Sequence, residues 1–272
     1  MEFNKNFNET GLSANSSDEL KNDVPLAEFF KGADVGDLFQ KLCEAGNSAG
    51  LKFFHRQGIF ESVDARADDS AALRGACENG HPEVVRWLRE EFGLGAEDAR
   101  ADDNCALRWA CENGHPEVVR CLREEFGLGA EDARAQDSAG LRWACANGHL
   151  EVVRFLRESY GLGAEDARAD DNLALRWACR HGHLEVVRFL RESYGLGAED
   201  ARALSNWALR WACENGHLEV VRCLREEFGL GAEDARAQDN YALRRACRNG
   251  HPEVVRCLRE EFGLWAEDAR GV

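Results

Sequence analysis

Nowhere in its 272 residues does the sequence carry a run of about 18 apolar residues, the least that a bilayer-crossing helix needs. Its first residues, MEFNKNFNETGLSANSSDEL, lack the apolar core of a secretory signal, so the expected compartment is the cytosol. Basic charge is scarce as well: 34 Lys and Arg stand against 50 Asp and Glu, a formal net charge of -16. A surface of that sign repels phosphate backbones and anionic lipid heads, which excludes nucleic acid and membrane as expected partners. Lysine disappears early. Lys5, Lys21, Lys31, Lys41 and Lys52 all precede the first arginine, Arg56, and beyond it arginine takes every such position. Wholesale disorder is excluded in turn by 44% hydrophobic residues spread along the chain.

The eleven cysteines look like a disulfide framework until their positions are compared. Cys43, Cys77, Cys111, Cys145, Cys179, Cys213 and Cys247 fall at a constant interval of 34, and only Cys105, Cys121, Cys223 and Cys257 lie off that ladder. An odd count in a chain long enough to build a core fits reduced, buried thiols. The sequons at Asn8 and Asn15 are then expected to stay unmodified.

The same interval governs the whole segment ALRWACENGHPEVVRCLREEFGLGAEDARADD. Leu73, Leu107, Leu141, Leu175, Leu209 and Leu243 mark six close copies over 69–272. One step back, Phe39, Cys43, Gly46 and Asp64 to Asp68 keep the register, so 35–68 is a seventh, diverged unit. Residues 25–68 are expected to form an N-terminal cap with that first unit, Pro25 to Lys31 giving a short covering helix. Residues 1–24, rich in Asn and Ser, are expected to be a disordered tail. Self-similarity of this kind indicates a solenoid whose units bury their apolar faces only against neighbours.

Within one unit, Leu107, Ala110 and Cys111 have the spacing of one face of a short helix, predicted over Ala106–Asn113. Pro116 sits at a favoured first helical position, and Val118, Val119, Leu122 and Phe126 form the stripe of a second helix over Pro116–Phe126. The remaining GLGAEDARADD, with its glycines and dense charge, reads as an extended loop or turn. Each unit is therefore helix, turn, helix, loop: an all-α solenoid of seven helix-turn-helix repeats.

The order of these residues resembles an ankyrin repeat. Ala106-Leu107-Arg108-Trp109-Ala110-Cys111 stands where that family has T-P-L-H-x-A-A, and Gly114-His115-Pro116-Glu117-Val118-Val119 and Gly129-Ala130-Glu131 match its G-H-x-E-V-V and G-A-D. The resemblance covers 35–272. Three departures accompany it: Ala-Leu-Arg replaces Thr-Pro-Leu-His, the turn before the first helix is about two residues short, and the connector after the second is about three longer. The hairpin finger of the family is accordingly expected to be short or remodelled.

The pair Cys111 and His115 stands at i, i+4 and could offer sulfur and nitrogen to zinc, but only two ligands come from each unit. Neighbouring helices lie about 8–10 Å apart, too far for ligands that must converge to about 2.0–2.3 Å from one ion. Buried cysteine, with the histidine bonding near a helix start, is the preferred reading, and no metal or cofactor is expected. A catalytic centre needs one unique constellation, whereas this chain has ladders; no enzyme is expected. What varies between copies is more informative. Two before the repeat Leu stand Ala71, Cys105, Ala139, Leu173, Trp207 and Tyr241; two after it, Gly75, Trp109, Trp143, Trp177, Trp211 and Arg245; five and six after it, residues that include Glu78, Glu112, Arg180, His181 and Arg248. Offsets of -2, +2, +5 and +6 share one helix face, and the resemblance implies that this face lines the concave surface that contacts a partner. The partner-binding candidates are Leu173, Trp177, Arg180, His181, Trp207, Trp211, Tyr241, Arg245 and Arg248. They suit a protein segment with apolar anchors and an acidic stretch toward the C-terminal unit. For the tryptophans, stacking between units is the competing reading; for the whole chain, it is a rod-like structural subunit. The last unit keeps Val254, Val255, Leu258 and Phe262 with no unit beyond, so its end is expected to be bare unless Trp265 folds over it.

Overall fold

The structure is a computed structural model that describes residues 34–264. The expected tail of 1–24, the covering helix of Pro25 to Lys31 and Trp265 lie outside the described residues. Those described form 17 helices and no strand, arranged as stacked pairs at the interval of 34.

The second helix of each pair follows directly from its stripe. In Pro116–Glu124 the residues Val118, Val119, Cys121 and Leu122 are buried, Pro116 opens the helix and Glu117 lies in its first turn. Its equivalents include Pro82–Phe92, Leu150–Glu158, Leu184–Ser193, Leu218–Glu226 and Pro252–Glu260. First helices pack against the first helices of neighbouring units, and second helices against second helices, so the two rows run side by side along the stack. Cys43, Cys77, Cys111, Cys145, Cys179 and Cys213 are fully buried against the repeat leucines. Burial pushes the Cys43 thiol up to about 12 and raises those of Cys77, Cys111, Cys145, Cys179 and Cys213. Cys247 departs from the expectation of a wholly buried ladder: it is only partly buried. In the last unit Val255 is only partly buried, where its equivalents Val119 and Val153 are fully so, while Val254, Leu258, Phe262 and Leu264 are buried. Their stripe is spent on their own first helix and on the unit before.

The connector is the main correction. Where an extended loop or turn was expected, Ala130–Ala133, Ala198–Ala201 and Ala232–Ala235 make single helical turns. Three consecutive left-handed residues come next. They are Asp68 to Ser70, Asp102 to Asn104, Gln136 to Ser138, Asp170 to Asn172, Leu204 to Asn206 and Gln238 to Asn240, with φ between 50° and 60°. An L-residue in this region costs about 1–2 kcal/mol, least for Asp and Asn, whose short polar side chains bond locally. A side chain holds each turn. Arg74, Arg108, Arg142, Arg176, Arg210 and Arg244 donate from Nη2 to the first carbonyl of their own turn, at 2.9, 3.5, 2.7, 2.8, 3.0 and 3.3 Å. Ala-Leu-Arg therefore replaces Thr-Pro-Leu-His because the arginine locks a left-handed turn, and the finger is remodelled into that turn.

Two ladders run between units. His81, His115, His149, His183, His217 and His251 bond through Nε2 to the carbonyls of Glu44, Glu78, Glu112, Ala146, Arg180 and Glu214 in the unit before, at 2.9–3.0 Å. Each ring lies where the preceding unit's glycine would carry a Cβ, and that glycine has positive φ, from 67° at Gly46 to 81° at Gly182. Only glycine satisfies both demands, which explains the repeated Gly-His. In the other direction Arg66, Arg100, Arg134, Arg168 and Arg202 pair through Nε with Asp98, Asp132, Asp166, Asp200 and Asp234 of the next unit at 2.7–3.0 Å. Those carboxylates also accept the N–H of Gly95, Gly129, Gly163, Gly197 and Gly231. Burial opposes ionisation of Asp132, Asp200 and Asp234, but the arginine and the glycine N–H outweigh it and hold these carboxyls below their usual range.

Candidate functional site

With the stripe, the turn and the ladders assigned, the variable positions of the first helices are left over. Leu173 and Trp177 lie on the helix Ala164–His181, Trp207 and Trp211 on Ala203–Glu214, and Tyr241, Arg245 and Arg248 on Ala237–Arg248. Leu173, Trp177, Arg180, Trp207, Trp211, Tyr241 and Arg245 are half-buried, whereas His181 and Arg248 are exposed. The fold thus carries the nine on the first helices of three successive units.

The tryptophans do not form one continuous stack. Trp143 and Trp177 meet across units with ring centroids 4.7 Å apart, and Trp207 meets Trp211 within its own helix at 5.1 Å. Arginines cover other faces: Arg180 lies 4.1 Å over Trp211, Arg176 4.8 Å over Trp207 and Arg74 5.8 Å over Trp109. A guanidinium over an indole is attracted by the ring quadrupole, so these rings are braced as flat, half-open platforms.

At the C-terminal end, charge is partly consumed within the face. Tyr241 donates its hydroxyl to Glu214 at 2.7 Å, Arg245 pairs with the same carboxylate at 3.5 Å, and the Arg245 guanidinium lies 4.9 Å over the Tyr241 ring. Arg248, by contrast, has no hydrogen bond or ion pair among the described residues. His181 is engaged by the backbone of the unit before. Its Nδ1 bonds the Ala146 carbonyl at 2.7 Å, the oxygen that also takes His183 Nε2 at 3.0 Å. Asn147 and Asn249 reach the corresponding carbonyls, those of Glu112 and Glu214, so His181 stands in for an asparagine.

Sequence reasoning missed Arg176. It is buried, donates from Nε and Nη2 to the carbonyls of Asp171 and Asp170 at 2.8 Å each, and has no carboxylate partner. Its signal lay in the next unit, where Leu204 replaces the Asp or Gln of the other copies. Among the described residues no group of three or more His, Cys, Asp or Glu is placed to hold a metal ion. The histidines of the Cys-His pairs are turned to backbone carbonyls. No described helix is long and apolar enough to cross a membrane.

Comparison with known proteins places this architecture. A solved ankyrin repeat family protein from Legionella pneumophila is similar at 20% identity, covering 85% of this chain and 71% of the other, with a TM-score of 0.44. The comparison with curated proteins gives no match. The family model for ankyrin repeats in sets of three copies matches residues 38–137, 129–200 and 196–267. Matched over most of its length, the chain belongs to the ankyrin repeat family, whose repeats mediate protein–protein interaction.

Proposed function

We propose that the chain is a non-catalytic interaction module that holds a partner polypeptide on its first-helix face, through Leu173, Trp177, Arg180, His181, Trp207, Trp211, Tyr241, Arg245 and Arg248. The observation that carries this reading is the contrast on one scaffold between side chains that repeat and side chains that do not. Leu173, Trp207 and Tyr241 occupy one position in successive units and are half-exposed; packing between near-identical units gives no reason for three different residues. Aromatic and arginine side chains are the usual carriers of interface energy. An apolar anchor of the partner fits Leu173, Trp207 and Trp211, and an acidic residue fits Arg248, whose charge is free, rather than Arg245, whose charge is engaged by Glu214. The cytosol suits the eleven free thiols.

The test is selection of a random peptide library on the full chain at low and moderate salt. Enriched peptides are expected to lose affinity about tenfold with Trp211→Ala and with Arg248→Glu, while circular dichroism stays unchanged. Peptides indifferent to both substitutions would favour the rod-like structural subunit.

A further inference from the structure

The six left-handed turns line up along one rim of the stack. Their first two residues are exposed and read Asp-Asp, Asp-Asp, Gln-Asp, Asp-Asp, Leu-Ser and Gln-Asp in chain order. The fifth turn alone has no acid. Leu204 there is 51% exposed and, with Phe53, one of two exposed large apolar side chains among the described residues. It also sits at φ 50° and ψ 48°, where leucine lacks the local hydrogen bonds that ease Asp and Asn into the left-handed region. Neither burial nor backbone preference accounts for a leucine at this place.

The arginines that hold the turns bear on the same place. Arg74 pairs with Asp102 at 2.6 Å, Arg108 with Gln136 Oε1 at 3.0 Å and Arg142 with Asp170 at 2.7 Å, each reaching the first turn residue of the next unit. For Arg176 that residue is Leu204. Arg176 is buried, donates only to backbone carbonyls, as Arg210 and Arg244 also do, and lies over the Trp207 ring. Burial pulls its pKa below the usual arginine value against the attraction of Asp170 and Asp171. A large apolar side chain held exposed in a costly conformation, with the half-buried Trp207 beside it, is a local deficit that a ligand can relieve. On either side the rim stays acidic: Asp137, Asp171 and Asp239 are exposed and have no ion pair among the described residues.

We propose that Leu204, Trp207 and Arg176 form the anchor point for a partner segment that presents one apolar side chain flanked by lysine or arginine. The inference rests on the reading of the first-helix face as a docking surface and names the chemistry required at its rim. The apolar side chain covers Leu204 and the open edge of Trp207. The Arg176 guanidinium, buried beneath, braces the Trp207 ring that the apolar side chain covers. The flanking cations meet Asp137 and Asp171 on one side and Asp239 on the other, and this charge complementarity selects the occupant.

Leu204→Asp separates binding from folding, because aspartate eases the turn and restores the partner that Arg142 has in Asp170. The substitution is expected to raise the thermal midpoint while weakening the peptides selected on the wild-type chain about tenfold or more. Those peptides are expected to share an apolar residue between Lys or Arg. Selected peptides that Leu204→Asp binds as tightly as wild type, but that Trp211→Ala and Arg248→Glu lose, would overturn the anchor and leave the docking face standing. A library that yields no peptide, or only peptides indifferent to all three substitutions, would overturn both. A lowered midpoint for Leu204→Asp would make Leu204 a packing residue and refute the proposal.

Discussion

Two rows of side chains run the length of this solenoid and obey different rules. The row of Gly-His pairs repeats without change from Gly80-His81 to Gly250-His251: each histidine bonds a carbonyl of the unit before, and each glycine up to Gly216 combines a positive φ with a neighbour's ring against it. The row of Ala71, Cys105, Ala139, Leu173, Trp207 and Tyr241 changes at nearly every step, and the backbone beneath it does not register the change. Constancy here measures how many partners a position must satisfy at once, and variability marks positions on which the stack itself makes no such demand.

The sharpest way to break that comparison is a methyl group placed twice. Gly148 and Gly250 share nearly the same φ, 78° and 74°, but a Cβ at Gly148 would run into the His183 ring and one at Gly250 meets nothing within 4 Å. Gly148→Ala is expected to cost about 2–5 kcal/mol, strain and overpacking combined, and Gly250→Ala only about 1–2 kcal/mol. Urea melts of the two variants check the difference.

Acid comes next. Burial lowers the pKa of His115, His183 and His217, partly offset by their bonds to backbone carbonyls and reinforced by neighbouring histidines. The folded chain therefore holds fewer protons than the unfolded chain just below the ordinary histidine value of 6.5. Stability is fully present above that pH and is lost as pH falls through the lowered folded values. The thermal midpoint is expected to drop between pH 7 and 5. A further drop is expected below pH 3.8, the usual Asp value, as Asp132, Asp200 and Asp234 are protonated out of the other ladder. A midpoint independent of pH from 7 to 5 would deny the histidine ladder its energetic role.

A smaller effect is expected from the second helices. Tyr160 and Tyr194 reach back a unit and donate to the carbonyls of Val119 and Val153 at 3.2 and 3.3 Å. Tyr160→Phe should cost about 0.5–1.5 kcal/mol by chemical denaturation. The least perturbing probe changes no residue at all: native alkylation at pH 8 should label the partly buried Cys247 first. Cys121 and Cys223, which burial and a nearby glutamate push up to about 12, should wait for denaturant.

The architecture was legible because its signal is written many times: the interval of 34, the Val-Val-Leu-Phe stripe and the Pro or Leu that opens each second helix. The connector was not. Asp, Asn and Ser announce a turn of unspecified hand, and the partner that decides it, an arginine six residues on from the first carbonyl, becomes visible only when the chain is folded. A clue was present at the third turn residue, which is always Ser or Asn, as in Ser70, Asn104, Ser138 and Asn206. The candidate face was legible from its variability, but its internal pairings were not. Glu214 takes both Tyr241 and Arg245, and His181 takes an asparagine's place, because those contacts join residues about one repeat apart.

The two ladders have opposite sense, histidine reaching back and arginine reaching forward, and neither passes beyond the adjoining unit. A block of 34 residues taken out in register leaves two cut faces that carry the same unmet groups as any other junction. The glycine on one side awaits a histidine, and the carboxylate on the other awaits an arginine. Such a chain can grow or shrink by whole cassettes and still close on itself. The stability of the array is thus close to a sum over identical joints, and each cassette adds or removes one of them.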